Sequence, residues 1–159
     1  MTLSLLVNIV LQGLTLGMLF FLIAGGLSII FGLMDVLNFA HGSLFMIGGY
    51  VAWTTAGALG RLVANSDLCF ALALISGTLA GAGVGALVEW AGIRPLYRRP
   101  VFQVLLTLGL VFVFTELVKL VWTANIQTMP PPASLRGAVT ILEQPFPLYR
   151  IFLIGLGLV

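Results

Sequence analysis

Three polar residues with hydrogen-bonding side chains, Asp35, Asn38 and His41, lie within seven residues between two long apolar runs. Polar groups at membrane depth usually face a cavity or the interior of a helical bundle, and they often mark the path of a substrate. A short solvated loop at a membrane surface has the same spacing, so the sequence leaves both interpretations open. Because His41 is the only histidine, a zinc site or a triad that needs several histidines is excluded.

The remaining polar residues predict no catalytic, cofactor or metal site. Glu116 and Lys119 are spaced i,i+3, which predicts a structural ion pair on one face of a helix. Cys69 is the only cysteine, so it forms no disulfide within the chain, and we interpret it as a small buried apolar residue. The chain has no G-x-x-x-x-G-K-[ST] loop for ATP, and it lacks the paired acids of an intramembrane enzyme. The sequence therefore predicts a protein that is not an enzyme.

The composition identifies the elements that position these residues. The first 34 residues contain no charged side chain, 60% of the chain is hydrophobic, and only 8% is charged. Apolar runs of about 20 residues match the thickness of a bilayer, and in lipid such a run forms a helix because the backbone must satisfy its own hydrogen bonds. The net charge of +2 is too small and too scattered for a nucleic-acid-binding face. The fold class that follows is all-α, a polytopic transmembrane helical bundle in a lipid bilayer.

The runs indicate about five spans, with a broken polar stretch at 35–42 after the first. We expect spans near residues 5–30, 43–59, 68–93 and 101–122, and a further run that starts near 148. The Gly25–Gly26 pair and Gly32 are expected weak points of the first run. Expected helix N-caps are Asn38 or Ser43 for the second span and Asp67 for the third. Residues 139–142 are a candidate strand within a proline-rich loop at 124–147.

The spacing of small residues predicts how a helix packs, and the arginines predict the orientation of the chain in the membrane. Gly77, Gly81 and Gly85 repeat at i+4, a pattern that lets two helix backbones approach closely, so we predict that this face packs against another helix. Three arginines in the short turn 94–100 predict that this turn is cytoplasmic, which places the 124–147 loop outside.

Two blocks of sequence carry a resemblance to a known family. Residues 26–32 read Gly-Leu-Ser-Ile-Ile-Phe-Gly, and residues 37–50 read Leu-Asn-Phe-Ala-His-Gly-Ser-Leu-Phe-Met-Ile-Gly-Gly-Tyr. Together with the turn at 94–96 and Thr-Leu-Gly-Leu at 107–110, they resemble the LivH-type permease subunits of bacterial ABC importers for branched-chain amino acids. The resemblance runs over essentially the whole chain and covers about the first half of a family member. We therefore interpret residues 1–159 as a single transmembrane permease domain that is an incomplete N-terminal portion, either a fragment or a truncated gene.

The resemblance implies a multi-pass protein of the bacterial inner membrane that moves amino acids by alternating access. Its implied partners are a second permease subunit, cytoplasmic ATP-binding subunits that bind the ATP, and a periplasmic substrate-binding protein. It also implies that Asn38, His41 and Ser43 belong to a helix break beside the translocation path. We expect a structural role for His41 rather than proton transfer, because ATP supplies the energy in this class.

Two alternatives stay open at this point. Related permeases import urea or short amides, and their N-terminal halves look similar. The chain could also be a non-transporting membrane protein, such as a truncated remnant.

Overall fold

The computed structural model describes residues 3–125, 127–141 and 144–158. Its elements, in chain order, are α1 Leu3–Met34, α2 His41–Leu59, α3 Ser66–Val88, α4 Pro100–Trp122, β1 Ala138–Ile141, β2 Gln144–Pro147 and α5 Leu148–Leu158. Two short turns join α3 to α4, a π-helical turn at Glu89–Ile93 and a 3₁₀ turn at Arg94–Leu96. The chain divides into two compact units, unit 1 with residues 1–26 and 131–159 and unit 2 with residues 27–130.

The helices are those of a membrane protein. By length and composition, three helical stretches of the described chain can cross a bilayer: Leu5–Leu33, Ser66–Leu96 and Pro100–Trp122. Helix α2 has 19 residues, which is long enough, but its composition is less apolar, and the described part of α5 has only 11 residues, so these two fall outside that group. Helix α1 passes through Gly25–Gly26 and Gly32 without a break. A glycine lowers helix stability by about 1 kcal/mol, which is less than the several kcal/mol lost when a backbone group in lipid has no partner.

Two helix starts differ from the sequence-based expectation. The N-cap of α3 is Asn65, whose side-chain Oδ1 accepts hydrogen bonds from the backbone N–H groups of Asp67 and Leu68 at 3.0 and 3.2 Å. Asp67 instead lies in the first turn, where its charge complements the helix dipole. The N-cap of α2 is Ala40, which makes no side-chain capping bond.

In unit 2, α2 and α3 cross at a pair of glycines. A Cβ atom added to Gly77 would lie 2.5 Å from the carbonyl oxygen of Gly48 and 2.9 Å from the Cβ of Ala52. Only glycine fits such an approach of two backbones. Beside the crossing, the Oγ of Ser76 lies 2.9 Å from the Oγ1 of Thr55 and 2.8 Å from the carbonyl oxygen of Ala73, and its proton can be donated to either oxygen.

An apolar core lies where α2, α3 and α4 meet the segment before α2. It consists of Val36, Ala40, Val88, Ile93 and Phe114. The segment between α1 and α2 therefore contributes to the core of unit 2 instead of standing in solvent.

Unit 1 contains a β hairpin. Strands β1 and β2 pair antiparallel, with Ala138 opposite Pro147 and Val139 opposite Phe146. The strand expected at 139–142 is present one residue earlier, while Leu142 lies outside the described residues. Two prolines are tolerated in β2 because a two-stranded sheet has only edge strands.

Candidate functional site at the break between α1 and α2

The break begins with a residue in the left-handed conformation. Asp35 has φ of +53°, and its backbone N–H still donates to the carbonyl of Phe31 at 2.9 Å. Aspartate tolerates this region better than most residues, and a left-handed residue directly after a helix is a common way to end it. The chain therefore leaves α1 sharply at this position.

The next residues alternate between the inside and the outside of unit 2. Val36, Asn38 and Ala40 are buried, whereas Leu37 and Phe39 are exposed. Such a period of two is typical of an extended segment that has one face in a core. The alternation carries the amide of Asn38 into the interior of unit 2.

Asn38 organises the turn that leads into α2. Its Oδ1 accepts a hydrogen bond from the backbone N–H of Ala40 at 3.0 Å, and its carbonyl accepts one from the N–H of His41 at 3.2 Å. A side-chain bond to the N–H two residues later is the usual Asx turn. Asn38 therefore starts α2 from two residues before its N-cap.

Helix α4 holds the other side of the break through a fully buried threonine. The Oγ1 of Thr107, which is 0% exposed, lies 3.1 Å from the carbonyl oxygen of Val104 and 3.4 Å from that of Leu37. The single hydroxyl proton can be donated to either oxygen. Residues 70 positions apart in sequence are thus joined beside the broken helix.

One turn before Thr107 on the same face, Gln103 is 3% exposed. Among the residues that the structure describes, the side-chain amide of Gln103 forms no hydrogen bond. In the same part of the chain, every side-chain nitrogen or oxygen that is fully enclosed does have a hydrogen-bond partner. The small exposed area of Gln103 must therefore include its amide atoms. An amide that is almost wholly withdrawn from solvent and has unused donors and acceptors is available to another polar molecule.

Sequence reasoning did not assign Gln103 and Thr107 to the site. The available signal was two polar residues spaced i,i+4 within an apolar helix, which places both on one face. The 107–110 block was noticed only as part of the family resemblance.

The structure does not bring the three sequence-predicted break residues together. Ser43 is buried in the first turn of α2, while the half-buried His41 borders a groove of about 540 Å³ between α2 and α3. In the described chain no hydrogen bond joins the side chains of Asn38, His41 and Ser43. It is the backbone N–H of His41, rather than its imidazole, that bonds within the break.

The three glycines of α3 face α2. Gly77 lies at the closest approach of the two helices. A Cβ atom added to Gly81 would lie 3.5 Å from the carbonyl oxygen of Leu44, and one added to Gly85 would lie 3.4 Å from the Cδ1 of Leu44. The tight end of this contact is therefore at Gly77, and the contact widens toward Gly85.

Elsewhere in unit 2, Lys119 and Glu116 form the expected ion pair at 2.7 Å, with both side chains exposed. Within the described ranges no cluster of three or more histidine, cysteine or acidic residues could hold a metal ion.

The model of a family described as the permease component of branched-chain amino acid transport systems matches residues 9–156. The high-affinity branched-chain amino acid transport system permease protein LivH of Salmonella typhimurium is 34% identical over 86 residues. BraD of Pseudomonas aeruginosa, a permease protein of the same description, is 33% identical over 86 residues, and LivH of Escherichia coli is 31% identical over the same length. No solved structure matches.

These alignments cover 54% of the chain and 28% of each relative. The chain is therefore similar to part of each of these permease proteins.

Proposed function

The chain belongs to the family of permease components of branched-chain amino acid transport systems, and from this premise we propose that it is a permease subunit of a binding-protein-dependent ABC importer. It is a multi-pass protein of the bacterial inner membrane and moves branched-chain amino acids. The match of the family over residues 9–156 carries the proposal, and the names of the LivH and BraD relatives support the substrate class.

The proposed mechanism is alternating access in a permease dimer. A periplasmic binding protein delivers the amino acid, and two cytoplasmic subunits bind ATP and drive the movement. The chain itself binds no nucleotide and performs no catalytic step. Its contribution is a path with walls that let a zwitterion pass and exclude ions.

The break between α1 and α2 is the part of the chain that we propose to lie beside this path, with the candidate residues Asn38, His41 and Ser43. A zwitterion that leaves water loses hydrogen bonds, and unpaired polar groups in an apolar medium cost roughly 2–7 kcal/mol each. The amide of Gln103 can replace some of those bonds. The proposal is supported by the burial of this amide and by its unused donors and acceptors.

Uptake in cells or proteoliposomes that contain the complete system tests the function. Binding-protein-dependent accumulation of labelled leucine, in preference to urea and short amides, is the expected result. Preference for urea or an amide would assign the protein to the alternative substrate class of the same family. Correct membrane insertion without uptake of any of them would instead support a truncated remnant.

A further inference from the structure

The turn that joins α3 to α4 exposes three arginines. Arg94, Arg98 and Arg99 lie within six residues, and all three are exposed. We propose that this turn binds the phosphate of an anionic glycerophospholipid headgroup, such as that of phosphatidylglycerol or cardiolipin. The inference concerns a surface outside the translocation path and does not depend on the substrate proposed above.

Residues 89–99 carry three arginines and one acidic residue, Glu89, so the turn keeps a net charge of +2 (3 − 1). Glu89 accepts a hydrogen bond from the hydroxyl of Tyr97 at 2.7 Å. The salt bridge in the described chain joins Lys119 to Glu116, far along α4 from this turn. In the described chain neither Arg94 nor Arg98 forms an ion pair, so both guanidinium groups can still bind an anion.

Two further contacts fix the shape of the turn. The hydrogen bond that Tyr97 donates to Glu89 holds the turn against the end of α3 and raises the pKa of Tyr97, whose phenol is neutral near pH 7 even at its ordinary pKa. The guanidinium of Arg99 lies 5.9 Å from the centre of the Phe102 ring, within the range of a cation–π contact. Residues 94–99 border an open concave space of about 550 Å³, which is wide enough for a headgroup phosphate.

Aromatic residues beside the arginines indicate the depth of the turn. Trp90, just before the basic turn, is 65% exposed, and Tyr97, within the turn, is 46% exposed. Tryptophan and tyrosine side chains are enriched at the level of the headgroups, at the two ends of transmembrane helices. Arginines at this level meet lipid phosphates from the moment of insertion, whereas a soluble acidic partner protein must displace them. Charge and depth together therefore favour a lipid.

The test measures lipid selectivity of the purified protein in nanodiscs. The test variant is Arg94→Gln/Arg98→Gln, which leaves the contact between Arg99 and Phe102 in place. The matched control is Arg61→Gln/Arg136→Gln, which removes two exposed arginines from other parts of the chain.

With Trp53 and Trp122 replaced by phenylalanine, Trp90 reports on neighbouring lipid through quenching by brominated phosphatidylglycerol or brominated phosphatidylcholine. Native mass spectrometry of lipid adducts, without the tryptophan changes, is a second measurement.

We expect brominated phosphatidylglycerol to quench Trp90 more than brominated phosphatidylcholine does. Near a membrane surface each basic residue strengthens binding of anionic lipid roughly fivefold, so the test variant, which lacks two, should lose about twenty-fivefold in selectivity. The control should keep its selectivity, and the adducts in the mass spectrum should follow the same order. Equal quenching by the two lipids in the unmodified protein would overturn the proposal. So would displacement of the lipid by inorganic phosphate at millimolar concentration, or loss of binding to the ATP-binding subunits in the test variant with unchanged lipid selectivity.

Discussion

At the scale of single residues, Asn38 determines where α2 begins. Its Oδ1 is the acceptor for the N–H of Ala40, a residue that is completely buried. Removing this acceptor leaves a buried N–H without a partner, and such a group costs about 1–3 kcal/mol. We expect Asn38→Leu to lower the thermal midpoint of the purified protein in detergent by several degrees.

Asn38→Ser is the matched control for this change. A serine hydroxyl can accept the same hydrogen bond, although more weakly, so this variant should keep most of the stability. Equal midpoints for the leucine and serine variants would show that the Asx turn does not contribute to stability.

Substitution of Gln103 should affect stability and transport differently. Gln103→Leu keeps the size of the side chain and removes an almost buried polar group that makes no hydrogen bond in the described chain. Stability should therefore be unchanged or higher. Uptake by the complete system should fall by tenfold or more if the amide contacts the substrate, since a hydrogen bond to a charged group contributes about 1.5–3 kcal/mol. Unchanged uptake with intact membrane insertion would exclude Gln103 from the path.

At the scale of elements, the helices were easier to predict than their ends. Long apolar runs require helices in lipid, so α1, α3 and α4 follow from composition. Asn65 and Asp67 are both good N-caps, and the sequence alone does not decide between them. The backbone geometry decides, because Asn65 is extended at φ −83° and ψ 105° and can reach both N–H groups.

The crossing of α2 and α3 predicts different effects for glycines on the same helix. An added methyl group on Gly77 would overlap the backbone of Gly48, whereas one on Gly81 would make an ordinary contact with Leu44. We expect Gly77→Ala to destabilise the protein by about 1–3 kcal/mol through overpacking, and Gly81→Ala to have little effect. Thermal unfolding of the purified variants measures the difference.

Gly83→Ala provides the control, because an added Cβ at this position meets no atom within 4 Å. If all three alanine variants are equally stable, the close crossing does not exist in the membrane. If all three are equally weakened, the effect comes from the helix backbone rather than from the contact.

At the scale of the whole molecule, the sequence predicted the membrane class and the family, but only part of the candidate site. The Asn38 region was found because polar residues interrupt apolar context. Gln103 and Thr107 were missed because their role depends on a contact 70 residues away in sequence, between Thr107 and Leu37. No local pattern encodes which segment a helix face meets, so the partner of a polar face is visible only in the folded chain.

Orientation in the membrane is a property of the whole chain, and the basic turn at 94–99 predicts it. Short loops that carry several arginines or lysines stay in the cytoplasm, so this turn should be inside and the 124–147 loop outside. Arg98 and Ser134 are both exposed and report on the two segments. In a background in which Cys69 is replaced by alanine, single cysteines at these two positions are treated with a membrane-impermeant thiol reagent in spheroplasts. We expect labelling of Ser134→Cys in intact spheroplasts, and of Arg98→Cys only after the membrane is opened. The reverse order would invert the topology, and it would also move the proposed lipid contact to the outer leaflet of the same membrane.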